Sequence, residues 1–191
     1  MAACATVPAT STPVPPTNTP APTPPQATSR GLGLDVPDWE GLYGKGNPSS
    51  ANRNYISFGK PLPEAAAGTY EYAVTFQATA PGISGPRRAV DIKRNWGPGV
   101  VTEDTARNAA KGLMPTDAQP VRTEKTQAGD TVEVYSSEWL KGQLPTNMWQ
   151  GLGVEPGTFA VQFSLNPQRT IDRRNGRPLD AYIYLKIGRI P

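Results

Sequence analysis

The stretch Tyr70-Glu71-Tyr72-Ala73-Val74-Thr75-Phe76 decides the fold of this chain. Its aromatic and aliphatic side chains recur at every second residue, while Glu71 and Thr75 occupy positions between them. Successive side chains of a β-strand point to opposite faces, so this alternation predicts a strand with one buried face and one polar face. Such a strand is typical of an antiparallel sheet, in which one face packs on the core and the other meets solvent.

Segments on both sides of this stretch have a strand pattern too. Tyr55 to Phe58 precede it, and Val90 and Ile92 follow it on the way to Trp96; these three segments are predicted as antiparallel strands. Glycine and proline pairs lie between them, and Asn175-Gly176 forms a later turn signal. Further strands are predicted at Val121 to Lys125, Thr131 to Tyr135, Thr158 to Leu165, Thr170 to Arg173 and Tyr182 to Ile187.

Two helices have boundaries that can be located in the sequence. The first begins at residues 34–39, where Asp35 is the N-cap, and it ends at Gly44. The second begins after Thr102, an N-cap residue, and ends before Pro115. Its apolar side consists of Ala106, Ala109, Ala110 and Leu113. A third, short helical piece is expected at residues 137–141.

These elements predict an α+β fold in which an antiparallel sheet packs against two or three short helices. Residues 30–191 carry every charged side chain, and at about 160 residues they are long enough for one sizeable core. We therefore expect residues 30–191 to form a single folded domain. A helix followed by strands occurs twice in the order of elements, which is consistent with two similar halves at 30–99 and 100–191.

The first 29 residues have a different composition. Cys4, the only cysteine, is followed from Ala5 to Ser29 by mainly Pro, Thr, Ala and Ser, with no charged residue. Eight of the 22 prolines lie in this region, and proline opposes both helix and sheet because its φ is fixed and it lacks an N–H. We predict that residues 1–29 are a disordered tether, which as polyproline II reaches on the order of 75 Å. The same composition permits an O-glycosylated stalk.

Ala2-Ala3-Cys4 followed by such a tether resembles the mature start of a bacterial lipoprotein. The resemblance implies that Cys4 carries lipid such as palmitate, that a signal peptide precedes it in the precursor, and that the protein is held at the cell membrane on the extracytoplasmic side. Acyl chains contribute about 0.8 kcal/mol per buried CH₂, so two or three of them would anchor a domain of this size. An unmodified cysteine in a disordered terminus is the alternative.

The composition excludes several kinds of active site. The chain has no histidine and one cysteine, which removes Ser-His-Asp and Cys-His nucleophiles as well as cysteine-ligated zinc and iron–sulfur sites. Only oxygen-ligand sites for calcium or magnesium remain, and no EF-hand-type spacing of acidic residues is present, so we predict no metal. No phosphate-binding glycine motif is present either, so we predict no cofactor. Paired carboxylates leave a histidine-free glycosidase open. Candidate pairs are Asp35 with Asp38, Glu103 with Asp104, and Asp172 with Asp180, although helix-start charges and arginine partners explain them better.

Part of the folded region resembles a known family. The helix Leu34 to Gly44, the strand Tyr70 to Phe76 and the segment Val90 to Trp96 are similar to the small membrane lipoprotein family SmpA/OmlA. The order of elements in the second half resembles the tandem arrangement of the beta-lactamase inhibitor protein family. The resemblance implies a role in binding proteins, through scaffolding in outer-membrane assembly or through blocking an enzyme with a concave sheet.

Several basic residues and one tryptophan are candidate binding residues. A net charge of +3 is mild, and no stacking aromatics accompany the basic clusters, so we expect no nucleic acid partner. The basic clusters could bind phosphate, lipid headgroups or an anionic polymer, or they could protect strand edges. Trp149 has polar and glycine neighbours and is the best candidate for an exposed ring. Core packing is nevertheless the favoured role for the tryptophans, especially Trp39 and Trp139. The candidates are Arg87, Arg88, Lys93, Arg94, Trp149, Arg173, Arg174 and Arg177.

The sequence therefore favours a membrane-tethered, non-catalytic module that binds or scaffolds another envelope protein. The alternative is a module that binds an anionic or carbohydrate polymer of the envelope through the basic strands and Trp149. The two predictions differ in their response to salt, because binding of an anionic polymer weakens as ionic strength rises.

Overall fold

The computed structural model describes residues 1, 28–62, 69–79, 86–97, 101–165 and 181–190. Cys4, the predicted tether from residue 5 to residue 27, the predicted strand Thr170 to Arg173 and the predicted turn Asn175-Gly176 lie outside these ranges. The last two residues assigned to the disordered tether do not fit that prediction, because the backbone N–H of Thr28 donates to the Thr116 hydroxyl at 3.1 Å and Ser29 is buried. The described residues form four helices and eight strands, in the order α1 (Val36–Tyr43), β1 (Asn47–Pro48), β2 (Tyr55–Pro61), β3 (Tyr70–Ala78), β4 (Arg87–Asn95), α2 (Glu103–Leu113), β5 (Gln119–Lys125), β6 (Thr131–Ser136), α3 (Glu138–Gln143), α4 (Thr146–Leu152), β7 (Thr158–Ser164) and β8 (Tyr182–Ile187).

The strands form one antiparallel sheet in the order β1-β2-β3-β4-β8-β7-β6-β5. The predicted α+β class, with an antiparallel sheet and mostly short helices, is confirmed. Strands β1 to β4 follow α1 and lie side by side, and β5 to β8 follow α2 and do the same. The two groups meet where β4 pairs with β8, with Asp91 opposite Lys186 and Asn95 opposite Tyr182. We call this pairing the seam.

The alternation in β3 produces the predicted pattern of buried and exposed side chains. Tyr72, Val74 and Phe76 are buried, whereas Glu71 and Thr75 are partly exposed. All eight described strands lie in the same sheet, and most of their buried side chains meet on one face, whereas Val132, Val134 and Ala160 form a separate small cluster. Buried side chains of β2, β3, β4, β7 and β8 form the main core with Trp39 of α1, Ala106 and Ala110 of α2, Leu140 of α3 and Trp149 of α4.

Helix α1 begins as its sequence predicts. The Asp35 side chain accepts a hydrogen bond from the backbone N–H of Asp38 at 3.0 Å, and Gly44 is the C-cap. The helix places Trp39 in the core with no exposed surface. The indole N–H of Trp39 donates to the carbonyl oxygen of Gly31 at 3.0 Å, so its one polar group is satisfied inside the core.

Helix α2 also has the predicted boundaries. The Thr102 hydroxyl accepts from the backbone N–H of Thr105, and the helix ends at Leu113. Ala106 and Leu113 are buried against the sheet. Their small and medium side chains allow the helix to lie close to the strands.

Helix α4 was not predicted. Its N-cap position is Pro145, which makes no side-chain capping hydrogen bond, and Gly153 ends it in the left-handed conformation. A short segment flanked by proline and glycine lacks the capping signal by which α1 and α2 are recognised. Packing against the core stabilises α4, because Trp149 and Met148 both contact that core.

Candidate functional site

The face of the sheet opposite the main core differs from the core face in character. In the described part of the chain, the buried residues of all four helices join the main core, and none packs over the centre of this second face. Towards β6, Val132, Val134 and Ala160 form a small buried cluster on this face, beside the end of α4. We call this second face the open face. Its central residues, identified by strand alternation and cross-strand register, are partly exposed: Ala73, Thr75, Asp91, Lys93, Gln162, Tyr182, Tyr184 and Lys186.

Four of these residues form a contiguous cluster at the seam. Asp91 lies directly opposite Lys186, and Lys93 lies directly opposite Tyr184. The hydroxyl of Tyr184 donates a hydrogen bond to the Asp91 carboxylate. The Lys93 ammonium also lies 4.1 Å from the centroid of the Tyr182 ring, a cation–π contact that adds a fifth residue. We call Asp91, Lys93, Tyr182, Tyr184 and Lys186 the seam cluster.

Burial raises the pKa values of two residues of the seam cluster, Asp91 and Tyr184. It raises the pKa of Asp91, and this effect is opposed by Lys186 and by the hydrogen bond from Tyr184. Burial also raises the pKa of Tyr184 to about 12, with the Asp91 carboxylate adding to the shift. Tyr184 is therefore a protonated hydroxyl at neutral pH, and it keeps its role as a hydrogen-bond donor.

The arrangement of the seam cluster suits recognition by contact. Tyrosine is enriched at the centres of protein interfaces because it offers a large apolar surface and one polar group. Two lysines against one aspartate give the central residues of the open face an excess of positive charge. The described residues contain no group of three or more His, Cys, Asp or Glu that could hold a metal ion.

Arg87 and Arg88, predicted as binding residues, contact neighbouring parts of the fold. An Nη of Arg87 donates to the carbonyl oxygen of Arg53 at 2.9 Å. An Nη of Arg88 lies 3.9 Å from a carboxylate oxygen of Asp35, the residue that caps α1. Both arginines therefore have structural partners at the start of β4.

Lys93 and Arg94 are adjacent in β4 and point to opposite faces of the sheet. Arg94 donates to the Glu71 carboxylate at 3.1 Å and stacks 5.3 Å from the centroid of Tyr72, a core residue. Lys93 belongs to the seam cluster on the open face. The predicted Lys93-Arg94 pair is thus divided between the two faces.

The predicted exposed ring at Trp149 is wrong. Trp149 is only 1% exposed, because α4 turns its side chain into the main core while its polar and glycine neighbours face outward. Core packing, the favoured role for the tryptophans, is correct for Trp149. It is correct also for Trp39, and Trp139 is partly buried against the same core.

Other predicted residues lie beyond the described ranges. These are Cys4, Arg173, Arg174 and Arg177. Among the candidate carboxylates, Asp35 caps α1 and Glu103 pairs with Arg107 at 2.8 Å, as expected of helix-start charges. Asp172 and Asp180 also fall outside the described residues.

The tyrosines of the seam cluster were not singled out from the sequence. The signal was present in the β8 sequence Tyr182-Ile183-Tyr184-Leu185-Lys186, where two tyrosines and a lysine share one face. What the alternation does not reveal is that β8 pairs with β4. Only that pairing brings Lys93 and Asp91 beside these tyrosines.

Fold and open face together define an α+β protein with one antiparallel sheet, helices packed on one face, and an aromatic and basic surface on the other. The chain matches no protein-family model, no curated protein and no solved structure. None of the helices in the described ranges combines the length and the apolar character needed to cross a membrane.

Proposed function

We propose that this protein is a non-catalytic binding or scaffolding module that presents the open face of its sheet to another protein of the cell envelope. One observation carries the proposal: the seam cluster places two tyrosines and two lysines, all partly exposed, at the centre of a sheet face, where no described helix packs. A partner suited to this surface offers carboxylates for the lysines and acceptors for the tyrosine hydroxyls.

The sheet supports this role because it holds the surface in one shape. The seam cluster lies on β4 and β8, which are central strands, and the opposite side of both strands is packed into the main core. The backbone of such rigid strands loses little freedom on binding, which favours affinity.

The proposal includes attachment of the module to the membrane through lipid on Cys4, at the extracytoplasmic side. Its support is the lipoprotein-like start followed by the uncharged Pro/Thr run. A tether of this kind lets the open face reach a partner that lies off the bilayer surface. Intact-mass measurement of protein extracted from its native membrane tests the attachment, and an unmodified Cys4 thiol would refute it.

The polymer-binding alternative has less support. It relied on an exposed Trp149 and on a basic patch, but Trp149 is buried. Arg88 and Arg94 are partnered by Asp35 and Glu71. We therefore do not favour it.

Site-specific photo-crosslinking in native membranes tests the protein-binding proposal. A photoreactive amino acid replaces Tyr184 at the seam, and in a control it replaces Lys111, which is exposed on α2. We expect a crosslinked protein of defined mass from position 184 and none from position 111. Crosslinks from position 111 alone, or capture that disappears at high salt together with an anionic polymer, would contradict the proposal.

A further inference from the structure

One edge of the sheet ends in a long and exposed strand. Strand β5 (Gln119–Lys125) is the last strand on its side of the described sheet, where it pairs with β6 alone. All seven of its residues are exposed. The other edge is β1, which has two residues, Asn47 and Pro48. An edge strand carries N–H and C=O groups that can pair with another strand, so β5 is the place where the described sheet can be extended.

The direction of the backbone groups in β5 follows from the hairpin that joins it to β6. The N–H of Thr126 donates to the carbonyl oxygen of Asp130 at 3.0 Å, so these two residues bond across the hairpin. Hydrogen-bonded and non-hydrogen-bonded pairs alternate along an antiparallel ladder. Glu124, two residues before Thr126, therefore directs its backbone groups to β6. The N–H and C=O groups of Thr123 and Lys125 point away from β6, towards the free edge.

The stretch of β5 that can pair along this edge is short. A bulge interrupts the ladder between Pro120 and Arg122, and a proline has no N–H to donate. Pairing along the free edge is therefore limited to residues 121–125. Bulges, prolines and charges protect strand edges against aggregation. Here they permit a short pairing with a defined register and oppose a longer one.

The charges of this stretch are complementary to those of a second copy of the chain. In an antiparallel pair of two β5 strands centred on Thr123, that residue lies opposite itself, and the outward N–H and C=O groups of the two copies bond to each other. Arg122 of each copy then lies opposite Glu124 of the other copy. These are non-hydrogen-bonded positions, where opposite side chains approach most closely. Opposite charges at such positions stabilise a sheet.

The neighbouring registers lack this complementarity. Outward-pointing backbone groups also meet when the pair of strands is centred on Arg122 or on Glu124. The first of these registers places Arg122 opposite Arg122, and the second places Glu124 opposite Glu124, so both bring like charges together. Within one chain Arg122 and Glu124 already form an ion pair. The register centred on Thr123 adds two such pairs between the copies, and the four charges then alternate in sign.

We propose that two copies of this chain associate through β5, antiparallel and centred on Thr123, so that their sheets join into one continuous sheet. Such a pair has a two-fold axis perpendicular to the sheet, and the same surface of each copy meets the other. The open faces of both copies therefore point to the same side. The association does not depend on the proposed function. If that function holds as well, the dimer presents two seam clusters to one partner, which raises the avidity of a weak contact.

Sedimentation equilibrium of the full chain tests the association, in reducing buffer so that Cys4 forms no disulfide. We expect a reversible equilibrium of monomer and dimer, which is weak because residues 121–125 form a small interface. Arg122→Glu should weaken dimerisation at least tenfold, because it places acidic side chains opposite each other. Lys141→Glu is the matched control, since Lys141 forms an exposed ion pair with Glu138 on α3. This control should leave dimerisation unchanged.

Mixing two variants tests the register. Glu124→Arg should also weaken dimerisation at least tenfold, because it places basic side chains opposite each other. An equimolar mixture of Arg122→Glu and Glu124→Arg should recover the dimer, since the acidic edge of one variant then faces the basic edge of the other. The double variant Arg122→Glu/Glu124→Arg should dimerise as the unaltered chain does. A merely structural role of the two residues predicts no recovery on mixing, and the absence of recovery would overturn the register.

Amide hydrogen exchange locates the interface. The N–H groups of Thr123 and Lys125 should exchange more slowly at high protein concentration than in dilute protein, whereas the N–H of Glu124, which faces β6, should change little. A chain that remains monomeric at about 1 mM would overturn the proposal, as would a dimer that Arg122→Glu leaves unaffected. Slow exchange of Thr123 and Lys125 in the monomer would overturn it too, because another segment would then occupy the edge.

Discussion

Lys186 of β8 lies directly opposite Asp91 of β4, at the only pairing that joins the two groups of strands within the described sheet. The pair is partly exposed, and Tyr184 supplies a further hydrogen bond to the carboxylate. The neighbouring pair, Ile92 and Leu185, points to the opposite face of the sheet. Both residues are fully buried, and they continue the main core from one group of strands to the other. The seam is thus held by apolar packing on one face and by a polar cluster on the other.

The raised pKa of Asp91 makes its effect on stability depend on pH. Burial raises the pKa in the folded state above the ordinary value of 3.8. The folded protein therefore holds this proton more tightly than the unfolded chain, and the contribution of Asp91 to stability falls as pH rises from about 3.8 through the raised pKa. Asparagine does not ionise, so Asp91→Asn should be more favourable, relative to the unaltered protein, at pH 7 than at pH 4. Urea unfolding at both pH values measures this difference. A difference in unfolding free energy for Asp91→Asn that is the same at pH 4 and pH 7, or that has the opposite sign, would contradict the role assigned to burial.

We expect the same substitution at the two buried tryptophans to destabilise the protein by different amounts. Trp39→Phe removes the donor to the Gly31 carbonyl, whereas Trp149→Phe removes an N–H without a partner in the described structure. Both variants lose volume in the same core. Because leaving a buried acceptor unpaired costs about 1 to 3 kcal/mol, Trp39→Phe should destabilise the protein by roughly that much more than Trp149→Phe. Chemical denaturation of both variants measures their free energies of unfolding. Equal losses of stability would show that the hydrogen bond to Gly31 contributes little.

We expect a change to alanine to have opposite effects on stability at Gly157 and at Gly142. Gly157 has a φ of +88°, and a Cβ there would lie 2.5 Å from the carbonyl oxygen of Ser137. Gly157→Ala should therefore cost about 2 kcal/mol or more, from the left-handed conformation and the clash together. Gly142 lies in α3, where a Cβ would meet no neighbouring residue within 4 Å beyond the backbone of its own helix. Gly142→Ala should stabilise the protein by about 0.5 to 1 kcal/mol. Thermal unfolding compares the pair, and similar shifts in Tm would argue against this account.

The sequence was informative where one local pattern determines the structure. The alternation in β3 and the caps Asp35 and Thr102 act within a few residues, so their strands and helices were predicted closely. The order of strands depends on contacts between distant segments, and nothing in β4 alone indicates that β8 is its neighbour. The choice of Trp149 as the best candidate for an exposed ring failed for the same reason, because α4 has weak local signals and is stabilised by packing against the core.

Arg107 of α2 joins the helix to strands β6 and β7 of the sheet. Its guanidinium pairs with Glu103 on the same helix and with Glu133 on β6, and it stacks 5.1 Å from the ring centroid of Phe163. The Glu133 side chain is only 13% exposed. Hydrogen bonds to both carboxylates raise the pKa of Arg107, so its charge is held firmly in place.

Arg107→Ala should destabilise the protein by about 1 to 3 kcal/mol, because it leaves the largely buried Glu133 carboxylate without its cation. Arg122→Ala is the matched control, since Arg122 and Glu124 form a pair in which both side chains are about half exposed. Such an exposed pair contributes about 0 to 1 kcal/mol. Adding Glu133→Gln to Arg107→Ala should recover part of the loss, because the uncompensated charge is then removed. Urea denaturation of the single and double variants measures this recovery. The Tyr135 hydroxyl also donates to the Glu133 carboxylate, at 2.6 Å. A double variant less stable than Arg107→Ala would mean that such other neighbours stabilise the carboxylate.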